Sequence, residues 1–382
     1  MNRSEFINQF GIRRVVLKIG TNLLLDARSA DGISGAMLDK LRDEIIFLRE
    51  RGIEVLLVSS GAVGSGRHFI KKQFNMPVHE QPSVTRKQAL SAIGQHRLMA
   101  RYESTFAPHG IPVAQLLLTA QDFRDRRAYL NMGHTISELM RLNALPIVNE
   151  NDTVATDELL QFGENDILSA ACLALFHADL LLILTSVDGF LLNNQRIPWI
   201  SKISDEIRNA AGGPAGPGSG GMQAKIRAGE LCAISGAALA ILPGQHAHPV
   251  RSFFQGEDIG TLMVRPRDKR SWGRRLSARK SWLLFARTQG GVVIDAGAVE
   301  ALRSRGKSLL PAGVRAVRGH FLAGDVIHIE DDQGHPVGRG ISNFSYAELR
   351  KMLGMSTSAR LASGMHTGTD EVIHRNNMTL ES

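Results

Sequence analysis

Two near-copies of one tetrapeptide carry the residue types in this chain best suited to chemistry: Asn149-Glu150-Asn151-Asp152 and Gly163-Glu164-Asn165-Asp166. The first follows a short apolar run, 145–148, and the second opens a run with helical spacing, 167–176. Strand, Asn/Asp-rich loop and helix, in that order, make the usual ligand position of an open α/β sheet. Amides and carboxylates there can hold a polar small molecule, a magnesium ion or the ends of lysines. They also suit Asx turns and a helix cap at Asn165 or Asp166. Two lysines are placed to join them: Lys18 ends a buried strand beside Gly20, and Lys225 follows a Gly/Pro-rich stretch, 212–221. Such lysines are costly to bury unless they meet an anion or snorkel to water. Phosphoryl transfer needs cations of this kind, because charge spreads over the oxygens of the group in flight.

Other motifs are weaker. Ser60-Gly61-Ala62-Val63-Gly64-Ser65-Gly66 follows a strand, where exposed backbone N–H groups cradle phosphate, but its glycines are not in the dinucleotide order. Gly306-Lys307-Ser308 imitates the end of a Walker loop, yet Ala301 stands where the loop needs glycine, so it is rejected as a nucleotide site. The 13 histidines form no metal motif or triad and are given no role. Cys172 and Cys232 match no metal-ligand spacing and read as small buried hydrophobes of a reducing, cytoplasmic compartment.

These residues need elements to position them. Apolar strand-like runs at 14–19, 53–59, 113–118, 146–148, 180–184 and 238–242 alternate with helical patterns, including Met37 to Leu48, Lys87 to Phe106 and Tyr129 to Leu142. Strands apolar throughout and separated by helices predict an α/β fold, a mainly parallel sheet sandwiched by helices. In a chain of 382 residues this domain is expected to span 1–264. A basic linker, 265–280, follows and carries much of the net charge of +8. Short strand-like runs and turns, with Ala323-Gly324-Asp325, Gln333-Gly334-His335 and Gly338-Arg339-Gly340 among the turns, predict a small mostly-β domain over 281–355. Residues 356–382 read as a loose polar tail. The N-terminus lacks a signal-peptide core and no apolar run is long enough to span a bilayer. The basic linker admits RNA binding, but the second domain lacks the interleaved aromatics that stack bases.

Taken together, Val15-Val-Leu-Lys18-Ile-Gly-Thr21, Val58-Ser-Ser-Gly-Ala62, the two tetrapeptides and Gly218-Ser-Gly-Gly-Met-Gln-Ala-Lys225 resemble the amino-acid kinase family. Lys87-Gln-Ala89, Ala92-Ile-Gly-Gln95 and Gln115-Leu-Leu-Leu-Thr119 add to the match. Ile294-Asp-Ala-Gly-Ala298, Gly306-Lys-Ser-Leu-Leu-Pro311 and Gly324-Asp325 resemble a PUA domain. The resemblance is strongest to members that pass the ATP γ-phosphate to the side-chain carboxylate of L-glutamate at the start of proline synthesis. Siblings acting on acetylglutamate or aspartate, and an RNA-binding regulator, are the alternatives. By this resemblance Lys18 and Lys225 stabilise the transferring phosphoryl group and Asp166 orients them. Ser60, Gly61, Asp152 and Asn165 bind glutamate. Lys18, Thr185, Ser186 and the run Ser219, Gly220, Gly221, Met222, Gln223, Ala224 and Lys225 line the nucleotide. ATP and Mg2+ are implied, with no metal held by protein ligands alone; so are a dimer or tetramer and proline as a possible feedback inhibitor. Ser186 stands where the family usually has Asp, and Ala224 where it usually has Thr.

Overall fold

The computed structural model describes residues 3–78, 83–155, 165–212, 219–264, 276–355 and 369–381. The chain divides into two compact units, Met1–Asp122 with Arg127–Arg275, and Phe123–Arg126 with Leu276–Ser382. Strands β1 (Arg14–Ile19), β2 (Glu54–Val58), β3 (Val113–Leu118), β4 (Leu145–Glu150) and β5 (Leu180–Thr185) belong to the first unit. So do the hairpin β6 (Leu191–Leu192) and β7 (Gln195–Arg196), then β8 (Trp199–Ile200), β9 (Ala238–Pro243) and β10 (Thr261–Met263). An eight-stranded sheet runs in the order β3-β4-β2-β1-β5-β9-β10-β8. Pairing is parallel from β3 through β9, β10 is antiparallel to β9, and β8 is parallel to β10.

The residue pattern explains the layering. In β1 and β5 every residue after the first or before the last is buried. Strands apolar on both faces must be covered on both, and the helices between them supply the cover. Met37, Leu38, Leu41, Ile45 and Leu48 on the helix Gly35–Arg49 join Leu17, Val55 and Leu57 in one core. Across the sheet, the helix Asn165–Phe176 is buried from Asp166 onward. Because the strands from β3 to β9 are parallel, the C-terminal ends of β1, β2, β4 and β5 reach one edge, where chain crossings leave a crevice.

The second unit carries a five-stranded sheet of β11 (Gly290–Ile294), β12 (Val314–Gly319), β13 (Val326–Glu330), β14 (Pro336–Ile341) and β15 (Met378–Leu380), ordered β12-β11-β13-β14-β15. Val292, Ile294, Ile327, Ile329 and Val337 form its core with Leu302 of the helix Ala296–Arg305.

Three sequence expectations change. Gly64 and Gly66 lie inside the helix Ala62–Phe74, so only Ser60 and Gly61 form the turn. Their small size serves packing: a Cβ at Gly66 would stand 1.9 Å from the Leu90 carbonyl oxygen, and one at Gly94 1.9 Å from that of Ala62. Gly338-Arg339-Gly340 is strand rather than turn, because a Cβ on either glycine would collide with the strand beside it, at 2.3 Å from the Thr379 oxygen or 2.8 Å from that of Asn377. The tail read as loose returns to the sheet: β15 pairs with β14, and Val372, Ile373, Met378 and Thr379 are buried. Its few apolar residues are hidden in sequence by polar neighbours. Residues 265–275 of the basic linker, and Gly163, Glu164 and Gly218, lie outside the described residues, as do the side chains of Ser219 and Gly220.

Candidate functional site

Burial of two lysines is the feature around which the sheet edge is built. Lys18, level with Val58 of β2 and Ile183 of β5, is 7% exposed, and Lys225 of the helix Ser219–Ser235 is 8% exposed. Between them sits Asp166, 1% exposed, in the first turn of the helix Asn165–Phe176. Lys18 Nζ lies 2.6 Å from Asp166 Oδ1, and Lys225 Nζ donates to Asp166 Oδ2 at 2.9 Å and to the Gly221 carbonyl at 3.0 Å. One carboxylate thus holds two ammonium groups side by side. Burial alone would raise the Asp166 pKa, but Lys18 and then Lys225 outweigh it and hold the carboxyl below its usual range. Two cations against one anion leave one positive charge in excess, in a place of low dielectric. That excess suits an incoming anion more dianionic than a carboxylate, such as a phosphoryl group.

The preceding residue faces a different environment. Asn165 Nδ2 lies 2.6 Å from the Ser59 carbonyl, 2.9 Å from Ser60 Oγ and 3.1 Å from Asn149 Oδ1, so two hydrogens serve three acceptors. Asn149 Nδ2 donates to Gln95 Oε1 at 2.8 Å, while Asn149 Oδ1 accepts from the Glu150 backbone N–H at 3.0 Å. Ser59 Oγ meets the buried Tyr102 hydroxyl at 2.8 Å. Gly61 takes φ +97°, the left-handed region that favours glycine, and caps the N-terminus of the helix Ala62–Phe74. Its neighbouring backbone N–H groups make an anion-binding terminus of ordinary kind.

Asp152 follows β4 by two residues and accepts from Ser91 Oγ at 2.6 Å. Burial raises the Asp152 pKa, with the Ser91 bond opposing; burial and the nearby Asp152 also raise that of Glu150.

Of the residues expected from sequence, the structure joins Lys18, Asp166 and Lys225 in one cluster and Asn165 with Ser60 in another. Among the described residues the side chains of Asn165 and Asp166 bond across to other elements, and no capping bond to their own helix is present. Thr185 ends β5 half-buried, its carbonyl accepting from Gly244 at 2.7 Å, and Ser186 is exposed. Gly221, Met222, Gln223 and Ala224 lie in the first turns of the helix that carries Lys225. No hydrogen bond among the described residues joins Thr185 or Ser186 to that turn. Gln95, Asn149, Ser91 and Tyr102 were given no role from sequence. Gln88, Ser91 and Gln95 are spaced by three and four residues on the helix Val84–Phe106, which puts them on one face but does not show that this face turns inward. Among the described residues no group of three or more His, Cys, Asp or Glu could hold a metal ion. Cys172 and Cys232 are buried and unpaired, and burial pushes both thiols up, away from reactive thiolate.

Comparison with known proteins places the chain in a family. A family model described as "Amino acid kinase family" matches residues 13–242, and one described as "PUA domain" matches 290–359. A glutamate 5-kinase of Gloeobacter violaceus is 41% identical over 374 residues, covering 95% of this chain and 98% of that protein. A glutamate 5-kinase of Syntrophus aciditrophicus is 36% identical over 99% of this chain and 96% of its own length. One from Dictyoglomus thermophilum is 39% identical over 96% of this chain and 97% of its own. With a buried lysine–aspartate–lysine cluster at the C-terminal edge of its sheet and relatives matched along nearly its whole length, the chain belongs to the amino acid kinase family.

Proposed function

We propose that the protein transfers the γ-phosphate of ATP to the side-chain carboxylate of L-glutamate, giving L-glutamyl 5-phosphate, and so opens proline biosynthesis in the cytoplasm. The observation that carries this reading is the Asn165–Asp166 pair, one residue in a neutral amide network and the next between two ammonium groups. That is the division a reaction between a small zwitterion and a polyphosphate requires.

The acceptor carboxylate, with an ordinary pKa of about 4.3, is ionised at neutral pH and needs no general base. What opposes reaction is the approach of one anion to another. Lys18 and Lys225 take up charge on the transferring phosphoryl oxygens, and Asp166 keeps both ammonium groups aimed at them. Ser60, whose oxygen accepts from Asn165, donates its own proton to no acceptor among the described residues and can offer it to a carboxylate, and the backbone at Gly61 adds N–H groups. Asp152 is the carboxylate that faces the substrate α-ammonium. Thr185, Ser186 and the run from Ser219 to Lys225 line the nucleotide. Mg2+ is proposed to enter with the nucleotide, held mainly by its phosphates and by water.

Proline, which shares the α-carboxylate and amine of glutamate, is proposed as a feedback inhibitor at the acceptor half. A homo-oligomer, dimer or tetramer, belongs to the same proposal, with β3 at an open edge of the eight-stranded sheet as a surface for pairing. The test is acyl-phosphate trapping. Protein, Mg-ATP and hydroxylamine are incubated with L-glutamate, N-acetylglutamate and L-aspartate in parallel. Hydroxamate from glutamate alone is the expected result. Hydroxamate from another acid would move the protein to a sibling activity, and none from any acid would overturn the reading.

A further inference from the structure

One face of the helix Val84–Phe106 touches the end of β4 and the loop that follows it at three positions. Gln88 Nε2 donates to the Ala155 carbonyl at 3.0 Å, Ser91 Oγ donates to Asp152 Oδ2 at 2.6 Å, and Gln95 Oε1 accepts from Asn149 Nδ2 at 2.8 Å. Ser91 and Gln95 are 3% and 8% exposed. Polar side chains buried this deeply, one spent on the end of β4 and one on the loop after it, are not surface decoration.

The polarity of the network is fixed by main-chain groups at two points, independent of how any amide is oriented. The Glu150 N–H can only donate, so the atom of Asn149 it meets is the oxygen. The Ser59 carbonyl can only accept, so the atom of Asn165 it meets is the nitrogen. Asn149 must therefore present its nitrogen to Gln95, and Gln95 must present its oxygen. The consequence reaches the crevice. With Asn165 Nδ2 spent on the protein, its Oδ1 accepts no hydrogen bond from the described residues and stays available to a donor. Ser60, having accepted from Asn165, keeps its proton for an acceptor. A zwitterion needs both, an acceptor for its ammonium and a donor for its carboxylate.

We propose that Gln95 and Ser91 are positioning residues that set the donor and acceptor pattern of the glutamate site from behind, Gln95 through Asn149 and Asn165, and Ser91 through Asp152. This rests on the glutamate kinase reading. Neither residue touches the phosphoryl half, so loss of either shifts glutamate recognition and spares turnover. Gln95→Met keeps length and removes the acceptor, leaving Asn149 Nδ2 buried without a partner. Gln95→Glu keeps an acceptor oxygen in the same place.

The experiment measures hydroxamate formation against glutamate concentration in wild type, Gln95→Met, Gln95→Glu, Ser91→Ala, Asp152→Asn and the double variant Ser91→Ala/Asp152→Asn, with thermal melting of each. Gln95→Met and Ser91→Ala are expected to raise the glutamate KM about five- to twentyfold with kcat within about twofold, the size of one lost hydrogen bond to a buried group. Gln95→Glu is expected to recover most of the loss. Ser91→Ala is expected to add little in the Asp152→Asn background, because its effect passes through Asp152. Equal losses in Gln95→Glu and Gln95→Met, additive losses in the double variant, or a fall in kcat with unchanged KM would each overturn the proposal while leaving the kinase reading intact. Wild type inactive toward glutamate would overturn both. If Gln95→Met melts too low to assay, the Ser91 cycle decides alone.

Discussion

Asn165 and Asp166 are neighbours in one helical turn, yet they build halves of the site that obey different physics. Asp166 works by charge: its carboxylate sits between two buried ammonium groups and its pKa is held down by them against the pull of burial. Asn165 works by direction: an uncharged amide distributes two hydrogens among three acceptors and so decides what the crevice offers. Two carboxylates sharpen the contrast. Asp166 has its pKa lowered by the lysines, whereas burial raises that of Asp152, where only a serine hydroxyl opposes. The anion between two lysines is kept charged, while the one proposed to receive an ammonium from solution has its charged form disfavoured by burial until a ligand arrives.

The largest effect is expected from the charged half. Asp166→Asn leaves two buried ammonium groups facing an amide. Breaking a buried pair in this way costs about 3–5 kcal/mol of stability, and kcat should fall by at least about 10²–10³-fold as the lysines lose their aim. Glutamate KM should change far less, because the acceptor network does not include Asp166. A variant that melts and turns over like wild type would remove Asp166 from the mechanism. The sign of the pH effect follows from the lowered pKa. The stability that Asp166 contributes is complete above the ordinary aspartate value of about 3.9 and is lost as pH falls through the lower folded value.

Asp152 is expected to behave in the opposite sense. Its folded pKa is raised, so its ionised form costs folding free energy, and that cost appears as pH rises through the folded value. Binding of an α-ammonium needs the ionised form. The acid limb of kcat/KM for glutamate should therefore fall above the ordinary range, with affinity lost as pH drops through it. Asp152→Asn should abolish that limb and raise KM by about tenfold or more. Glu150 lies beside Asp152 and also has a raised pKa, so Glu150→Gln is the control that assigns the limb. A limb that survives in Asp152→Asn and vanishes in Glu150→Gln would transfer the role.

The charged half was the more legible in sequence. A lysine ending an apolar strand is costly unless it has a purpose, which singles out Lys18; Lys225 stands out after a Gly/Pro-rich stretch, and Asp166 acquires its role only through the family resemblance. The parallel sheet was legible for a related reason, since runs such as that of β5 are apolar at every position but the last and admit few other fates. The neutral half was less so. Gln95 and Ser91 sit in a helix whose surface also carries ordinary polar residues, and nothing in their spacing says which polar side chain faces in. Asn149 was visible as part of a motif, but only the fold brings it between Gln95 and Asn165. Glycine misled in both units. Gly64 and Gly66 suggested a phosphate turn and Gly338 and Gly340 a hairpin turn, yet Gly64 makes room for the Leu25 side chain and the other three permit close backbone approach, which depends on partners distant in sequence.

That close approach gives the smallest and most indirect effect. Gly66→Ala would place a Cβ 1.9 Å from the Leu90 carbonyl oxygen, a backbone atom that cannot swing away. The helices Ala62–Phe74 and Val84–Phe106 must then move apart. The first begins after Ser60 and Gly61, and the second carries Ser91 and Gln95, so their separation loosens the acceptor half from two sides. The cost should be about 1–3 kcal/mol, with glutamate KM up severalfold and kcat at saturating glutamate within about twofold. Gly338→Ala makes a comparable collision in the second unit, 2.3 Å from the Thr379 oxygen. It should lower the melting temperature by a similar amount and leave KM unchanged. If Gly66→Ala instead lowered kcat and spared KM, the helix pair would be supporting the lysines rather than the amide network, and the division between Asn165 and Asp166 would have to be redrawn.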